Sequence, residues 1–298
     1  PIGIDPLPDS PLDVDAVVQG QAPGVDDLEL VVDGNLARAQ RVTVARDGRW
    51  QARIDTRDFV DAQRAHRVVA WSPKAAFASM PRTFRAAREW TTVVDLADPR
   101  GDDRGRHGHY RAPTAEGWRD QRPLDIEHVA VATSGGALRI TLGMGDLVAR
   151  WNPPNGFDHV ALTVFVELPG HADGARVMPL QNAELPDGMR WHRRLRVGGW
   201  TSALFTADGA STTAEGTAAN QAADVAVDRE RRTITLTLTA AALGHAADLR
   251  GARVYVTTWD YDGAYRALAR KPAPFAFGGG DGRRDPLVMD ASAVIRLP

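Results

Sequence analysis

The 298-residue chain contains no cysteine, and this absence excludes several classes of chemistry together. Disulfide bonds, thiolate metal sites and cysteine nucleophiles all require a sulfur atom that the sequence does not supply. The absence leaves the cellular compartment open, since exported bacterial proteins can also lack cysteine. Any metal centre in this protein must therefore use ligands other than thiolate.

The chain also lacks a charge excess and a long apolar segment. Its 36 basic and 38 acidic residues give a formal net charge of -2, so we expect no overall attraction to nucleic acid or to an anionic membrane. No apolar run approaches the roughly 18 residues that a membrane span requires. A hydrophobic fraction of 43% and a charged fraction of 25% are typical of a globular protein.

The start of the chain carries no recognisable targeting segment. The first residue is Pro1 rather than Met, and no signal-peptide pattern follows it. We therefore expect a mature product, or a piece of a larger polypeptide in which a catalytic domain lies elsewhere. Residues 1–11 are rich in proline and aspartate and predict a linker or extended arm.

Residues 12–88 predict a first β-sandwich. Short strand-like segments, beginning with residues 14–18, recur at intervals of roughly ten residues and are separated by turn signals such as Asp33-Gly34. The segment Trp50–Thr56 and the strand at residues 66–71 resemble the immunoglobulin-like modules of bacterial surface and secreted enzymes. The resemblance implies a small antiparallel sandwich.

Residues 89–298 predict a second, larger β-sandwich. Several segments alternate apolar and polar side chains, and Thr233–Leu238 is the clearest of them. Strands do not alternate with helices, which argues against a parallel doubly wound sheet. Residues 239–243 are a candidate for one short helix. We therefore expect an all-β chain made of two consecutive sandwiches, each with its own core.

The most unusual segment of the second unit is an acidic, glycine-broken loop at residues 98–110. Asp98, Asp102 and Asp103 place three carboxylates within six residues, and oxygen-rich ligands on a flexible turn are what calcium binds. Like charges so close together also favour a counter-ion. The alternative is that these carboxylates cap backbone N–H groups in tight turns.

Four segments of the second unit resemble the carboxy-terminal, DOMON-like domain of glucodextranase. They are Asp98–Gly105, Leu124–Ile126, Trp151–Phe157 and Phe275–Asp281, the last followed by Pro286 and Asp290. The turn Trp259–Gly263 fits the same pattern, and the segments occur in the family's order. Two positions depart from the family: Phe275 stands where tryptophan is common, and Ala149-Arg150 replaces Asn-Pro before Trp151.

This resemblance implies a DOMON-like or jelly-roll-like sandwich that serves as a non-catalytic accessory region of a bacterial α-amylase- or glucodextranase-type enzyme. Such domains bind α-glucan or cell-envelope polysaccharide, or brace the catalytic domain of the same polypeptide. The implied location is secreted, periplasmic or at the cell surface. If strand pairing follows the family, Asp125 joins Asp98, Asp102 and Asp103 as a candidate calcium ligand, with Glu127 nearby.

The candidate sugar-binding residues are aromatic, since sugars stack on exposed flat rings that a few polar groups support. Trp151 and Phe157 lie in a loop that two prolines and a glycine stiffen, and Trp118 lies in another polar loop. Trp259 and Tyr261 occupy the turn that fits the family pattern. The alternative is that most of these rings pack inside the protein. Further candidates of lower rank are Trp191, Trp200 and Tyr265.

The sequence offers no catalytic signature. A glycoside hydrolase needs two carboxyl groups about 5–10 Å apart in a cleft, and no segment singles out such a pair. His107 and His109 alternate beside the acidic loop without a further ligand at a suitable spacing, so we expect them on the surface. Three functions remain open: a glycan-binding accessory region, a purely structural brace and a self-contained glycoside hydrolase.

Overall fold

A computed structural model describes residues 1–12 and 16–298, so part of the strand expected at residues 14–18 lies outside the described residues. The chain divides into two compact units, Pro1–Glu89 (unit 1) and Trp90–Pro298 (unit 2). Both units are built from β-strands in mainly antiparallel sheets, which confirms the all-β prediction. Within the described ranges, no helix is long and apolar enough to span a bilayer.

Unit 1 forms a small sandwich of two sheets. Its strands are β1 (Gly3–Ile4), β2 (Ala16–Gln21), β3 (Leu28–Val32), β4 (Gln40–Val42), β5 (Arg49–Ile54), β6 (His66–Ser72), β7 (Phe77–Ala78) and β8 (Arg82–Phe84), with a 3-10 helix at Leu36–Arg38. One sheet has the order β1-β2-β5, and the other has the order β4-β3-β6-β7 with β8 also on β6. Apolar side chains from both sheets, among them Trp50 and Val68, share one core.

Unit 2 contains the remaining strands. They are β9 (Thr91–Ala97), β10 (Ile126–Ser134), β11 (Ala137–Met144), β12 (Ala161–Glu167), β13 (Val177–Met178), β14 (Ala183–Glu184), β15 (Arg193–Val197), β16 (Ser202–Thr206), β17 (Thr217–Ala218), β18 (Asp224–Asp228), β19 (Thr233–Leu238), β20 (Arg253–Trp259), β21 (Leu268–Ala269), β22 (Phe277–Gly278), β23 (Asp290–Ala291) and β24 (Ile295–Arg296).

Two large antiparallel sheets face each other in unit 2. The five-stranded sheet has the order β18-β19-β11-β10-β9, and the seven-stranded sheet has the order β17-β16-β15-β12-β20-β23 with β24 also on β20. Ile140 of β11 and Val164 of β12 belong to the same buried cluster, so alternate side chains of both sheets fill one core. This arrangement is the β-sandwich expected from the alternating segments.

Strand β12 is buried on both faces. Its inward residues join the main core, whereas Phe165 points the other way and packs with Met178, Met189 and Trp191 in a second apolar cluster. Trp191, a lower-ranked sugar-binding candidate, is therefore a packing residue.

Residues 239–243 form a single hydrogen-bonded turn and not the expected helix. The N–H of Leu243 donates to the carbonyls of Thr239 and Ala240, and the chain leaves this turn through Gly244 and His245, both at positive φ. A left-handed residue pair of this kind stops a helix directly after its first turn.

The candidate site lies at one end of the central strands of the seven-stranded sheet. Strand β12 begins where β15 and β20 end, since Leu162 pairs with Val197 and Ala161 pairs with Trp259. The loop before β12, the β15–β16 turn and the loop after β20 consequently meet at the same end of these strands.

Candidate functional site

The loops at this end of strands β12, β15 and β20 surround a pocket with a volume of about 550 Å³. Its lining includes three exposed aromatic side chains: Trp151 is 46% exposed, Trp200 is 55% exposed and Phe275 is 57% exposed. The ring centroids of Trp151 and Trp200 are 6.3 Å apart, with 33° between the ring planes. Polar groups of Thr201, Tyr261, Asp262 and Arg266 line the same pocket.

Trp151 is held by the residues that follow it in the loop. Its backbone N–H donates to Oδ2 of Asp158 at 2.8 Å, and its indole lies nearly parallel to the ring of His159, with 4.1 Å between centroids and 19° between planes. Asp158 and His159 are both buried. One face of the Trp151 indole therefore rests on the protein while the ring remains half exposed.

The Trp151 loop is tied to the turn that carries Trp200. The side-chain amide of Asn155 donates to the carbonyl of Gly198 at 2.7 Å, and its backbone N–H donates to the carbonyl of Gly199 at 3.0 Å. A Cβ at Gly199 would lie only 2.5 Å from the carbonyl oxygen of Phe157 and 2.7 Å from Cβ of Pro153, so the close approach of the two segments requires glycine here.

Phe275 is supported by the half-buried cation of Arg266. The guanidinium of Arg266 lies 5.7 Å from the centroid of Phe275 and 5.0 Å from that of Trp118, within the range of cation–π attraction. Arg266 also pairs with Asp260. Burial raises the pKa of the Asp260 carboxyl, and the adjacent guanidinium opposes that rise.

The structure corrects three of the five sugar-binding candidates. Trp118, Phe157 and Trp259 belong to the buried core and present no free ring face to a ligand. The indole of Trp118 instead donates to the carbonyl of His159 at 2.7 Å, and Trp259 stacks on Phe277 with centroids 3.9 Å apart. Trp118 contacts His159, and the indole of Trp259 donates to the carbonyl of Arg266 at 2.9 Å, so these two buried rings support residues that line the pocket.

Tyr261 and Trp151 are the two candidates that line the pocket. Tyr261 is half-buried, and the guanidinium carbon Cζ of Arg196 lies 3.6 Å from the centroid of its ring. The exposed rings of Trp200 and Phe275 complete the set. Sequence reasoning ranks Trp200 low, although its position after two glycines is the signal of an aromatic side chain on a tight, exposed turn.

Two of the four candidate metal ligands lie together in the acidic loop. Carboxylate oxygens of Asp98, Asp102 and Asp290 lie within 4.8 Å of one another, and one carboxylate oxygen of Asp98 is buried without a hydrogen-bond partner. Burial first, and then the charges of Asp102 and Asp125, raises the pKa of Asp98 to about 6. Burial is also the main cause that raises the pKa of Asp290 to about 7.

Asp103 and Asp125 are engaged by other groups. Asp103 forms an ion pair with Arg122. Asp125 accepts the backbone N–H of Gly101 at 3.0 Å, which fixes the turn of the acidic loop and corresponds to the alternative in which a carboxylate caps the backbone. Asp290, the third carboxylate of this cluster, lies far from the acidic loop in sequence, and its carboxylate also accepts the N–H of Ile126 at 2.7 Å.

A second pocket, with a volume of about 670 Å³, lies beside the acidic cluster and is lined by Asp102, Arg104, Arg106, Tyr255 and Asp290 among other residues. It is separate in its lining residues from the aromatic pocket. Of these two pockets, the aromatic one combines several exposed rings with polar groups, which is the composition expected of a sugar-binding surface.

Comparison with known protein families matches residues 93–295 to the C-terminal, SLH-like binding module of glucodextranase. A search of curated proteins returned no match. The matched residues cover nearly all of unit 2, including both the aromatic pocket and the acidic cluster. The chain therefore belongs to the family of C-terminal binding modules of glucodextranase.

Proposed function

We propose that unit 2 is a non-catalytic carbohydrate-binding module that holds an α-glucan or a cell-envelope polysaccharide against the rings of Trp151, Trp200 and Phe275. The observation that carries the proposal is the exposure of these three rings around one pocket. Family membership supports the same function, because the family is one of binding modules.

The energetics fit a binding role. A fully enclosed tryptophan buries roughly 150–250 Å², so covering one face removes about 100 Å² of apolar surface from water and contributes about 2.5 kcal/mol. Several such rings are needed to offset the cost of association, since each ring alone gives a weak contact. Thr201, Tyr261 and Asp262 provide hydroxyl and carboxylate partners for sugar hydroxyls.

The carboxylates of the pocket do not favour hydrolysis. Asp158 is buried and bonded to His159 and to the Trp151 backbone, and Asp260 is paired with Arg266. General acid and nucleophile roles need carboxyl groups that are free to reach a glycosidic bond. Asp262, the third carboxylate of the pocket, is exposed and lies 3.8 Å from Arg266, so the pocket leaves a single carboxylate free to reach a sugar, whereas hydrolysis needs two.

Binding can be measured directly by isothermal titration of the intact chain with maltoheptaose and with isomaltotriose, followed by chromatography of the sugars. Saturable binding that is lost in a Trp151→Ala variant is the expected result. Shortened sugars after incubation would indicate a self-contained hydrolase. A folded protein that binds neither sugar nor a cell-envelope polysaccharide fraction would contradict the proposal and favour a structural brace.

We also propose that calcium binds at Asp98, Asp102 and Asp290. The buried, unpartnered oxygen of Asp98 and the mutual repulsion of the three carboxylates support this proposal. A hard divalent cation takes carboxylate and carbonyl oxygens as ligands, and its charge would offset the repulsion. Differential scanning calorimetry with calcium and with chelator tests it, because bound calcium must raise the unfolding temperature of unit 2.

Family membership also suggests the location of the protein and the kind of domain beside which it acts. We propose that it belongs to a secreted, periplasmic or cell-surface enzyme and acts beside a catalytic domain of the same polypeptide. Unit 1, with two antiparallel sheets around a core that contains Trp50, is proposed to be an immunoglobulin-like module. By holding the enzyme on its glycan, the module would raise the local concentration of substrate.

A further inference from the structure

The ring of His159 lies between two hydrogen-bond acceptors. Its Nδ1 is 2.5 Å from Oδ1 of Asp158, and its Nε2 is 3.1 Å from the backbone carbonyl of Glu116. A carbonyl oxygen only accepts, so Nε2 carries a hydrogen. The 2.5 Å contact between Nδ1 and Oδ1 of Asp158 requires a hydrogen between the two atoms, and an imidazole is a stronger base than a carboxylate, so the geometry places this hydrogen on Nδ1 while Oδ2 accepts the backbone N–H of Trp151. A ring with both hydrogens is an imidazolium cation.

The imidazolium is enclosed by aromatic rings. The centroid of His159 is 4.1 Å from that of Trp151 and 4.2 Å from that of Trp118, and the side chain is buried. At Gly117 a Cβ would lie 2.3 Å from Nε2 of His159, so only glycine lets the backbone pass so close to the ring. His159 itself has a φ of 66°, a strained conformation for a residue with a side chain.

The charged groups around His159 balance its charge locally. Asp158 contacts it directly, and Asp260 interacts with it electrostatically from the loop after β20. Asp260 is in turn paired with Arg266, whose guanidinium lies on Trp118. Beyond the Glu116 carbonyl, the Glu116 side chain pairs with Arg150 at 2.7 Å. Asp158 is therefore the direct counter-ion of His159.

We infer that His159, held as an imidazolium by Asp158 and the Glu116 carbonyl, is the positioning residue for Trp151, so that sugar affinity depends on the protonation of this buried ring. The inference rests on the proposed glycan-binding function. One face of the Trp151 indole lies on the cation, and the opposite face receives the sugar. Removal of the proton abolishes the cation–π contact and one of the two ring hydrogen bonds, and the indole loses its support.

The test combines nuclear magnetic resonance of the His159 ring nitrogens with titration of maltoheptaose across a range from mildly acidic to alkaline pH. We expect the ring to hold two hydrogens where affinity is highest, and affinity to fall by about fivefold to tenfold as the ring loses one of them. The His159→Gln variant should bind weakly at every pH. Affinity that stays constant while the His159 signals report deprotonation would overturn the inference.

A matched control and a ligand-free readout keep the outcomes distinct. His128 also pairs with an aspartate, with 2.5 Å between its Nε2 and Asp95 Oδ1, yet lies away from the pocket, so His128→Gln should leave the pH profile unchanged. If no sugar binds at any pH, the proposed function fails. In that case the fluorescence of Trp151 decides the inference: a change that follows His159 deprotonation and is absent in Trp151→Phe supports it, and no change refutes it.

Discussion

The guanidinium carbon of Arg196 lies 3.6 Å from the ring centroid of Tyr261, so a cation from strand β15 supports a residue of the candidate sugar-binding pocket. Both Nε and Nη2 of Arg196 donate to the carboxylate of Glu215 at 3.1 Å. The same carboxylate accepts from the fully buried Arg194 at 3.0 Å. One glutamate thus balances two buried arginines beneath the pocket.

Replacing Glu215 with glutamine should strongly destabilise unit 2. The change leaves two buried guanidinium groups without a counter-ion, and Nε of Arg194 already has no partner in the wild type. Breaking such a buried pair costs about 3 kcal/mol or more. Urea unfolding should show the loss, whereas Asp120→Asn, which removes the exposed pair with Arg119, should change the free energy of unfolding by less than about 1 kcal/mol. Equal effects of both variants would contradict this account.

The aromatic surface gives a second prediction. Trp151→Ala and Trp200→Ala should each weaken sugar binding by about tenfold or more, because each removes an exposed ring worth about 1.4 kcal/mol or more. Trp90→Ala is the matched control, since Trp90 packs under Arg139, with 4.0 Å from the guanidinium to the ring centroid, and does not line the pocket. Calorimetric titration of the three variants with sugar measures these affinities. If Trp90→Ala lost as much affinity as the other two variants, the pocket would not be the sugar-binding site.

Asp98→Asn should change the stability of unit 2 in opposite directions with and without calcium. In chelator the variant loses a buried, unpartnered charge next to other carboxylates and should unfold at a higher temperature than the wild type. In calcium it loses a ligand and should unfold at a lower temperature than the wild type. Asp224→Asn, at an exposed position of β18, provides the control and should behave alike in both solutions. The same response of Asp98→Asn in both solutions would argue against a cation site.

The acidic cluster also predicts how stability depends on pH in chelator. The folded-state pKa of Asp98, about 6, and that of Asp290, about 7, both lie above the ordinary value of 3.8 for an unfolded chain. The folded state therefore binds these protons more tightly than the unfolded state does. The stability that they contribute is fully present below pH 3.8 and is lost as the pH rises through 6 and 7. Thermal unfolding from pH 5 to pH 8 should show this decline in chelator and a smaller one in calcium.

Local sequence signals located part of each site. Asp98 and Asp102 lie in one short loop, and a carboxylate cluster within a few residues can be recognised without knowledge of the fold. Asp290 joins them because β23 pairs with β20, where Asp290 lies opposite Thr258, and such long-range pairing is invisible to spacing rules. The two glycines before Trp200 mark a turn, but not which loops the turn will meet.

Burial of aromatic residues was the harder property to predict. Trp259 precedes a turn-like sequence, yet it is the last residue of β20 and pairs with Ala161 inside the sheet. Phe157 follows a glycine in a proline-containing loop, yet it is fully buried. In both cases the composition of the segment indicates a loop, but side chains of an extended chain alternate in direction, so a shift of one residue decides whether a ring points to the core or to solvent.

The contact between Ile126 and Asp290 has a consequence for synthesis of the protein. These residues are 164 positions apart in the chain, and Tyr110 likewise donates to the carbonyl of Pro286 at 2.9 Å. Tyr110 of the acidic loop and Ile126 of β10 thus acquire these partners only after residues 286–290 have left the ribosome. Since long-range contacts of this kind delay folding, unit 2 cannot complete its sandwich before Asp290 has been translated, and Asp290→Ala would leave the buried N–H of Ile126 without its acceptor.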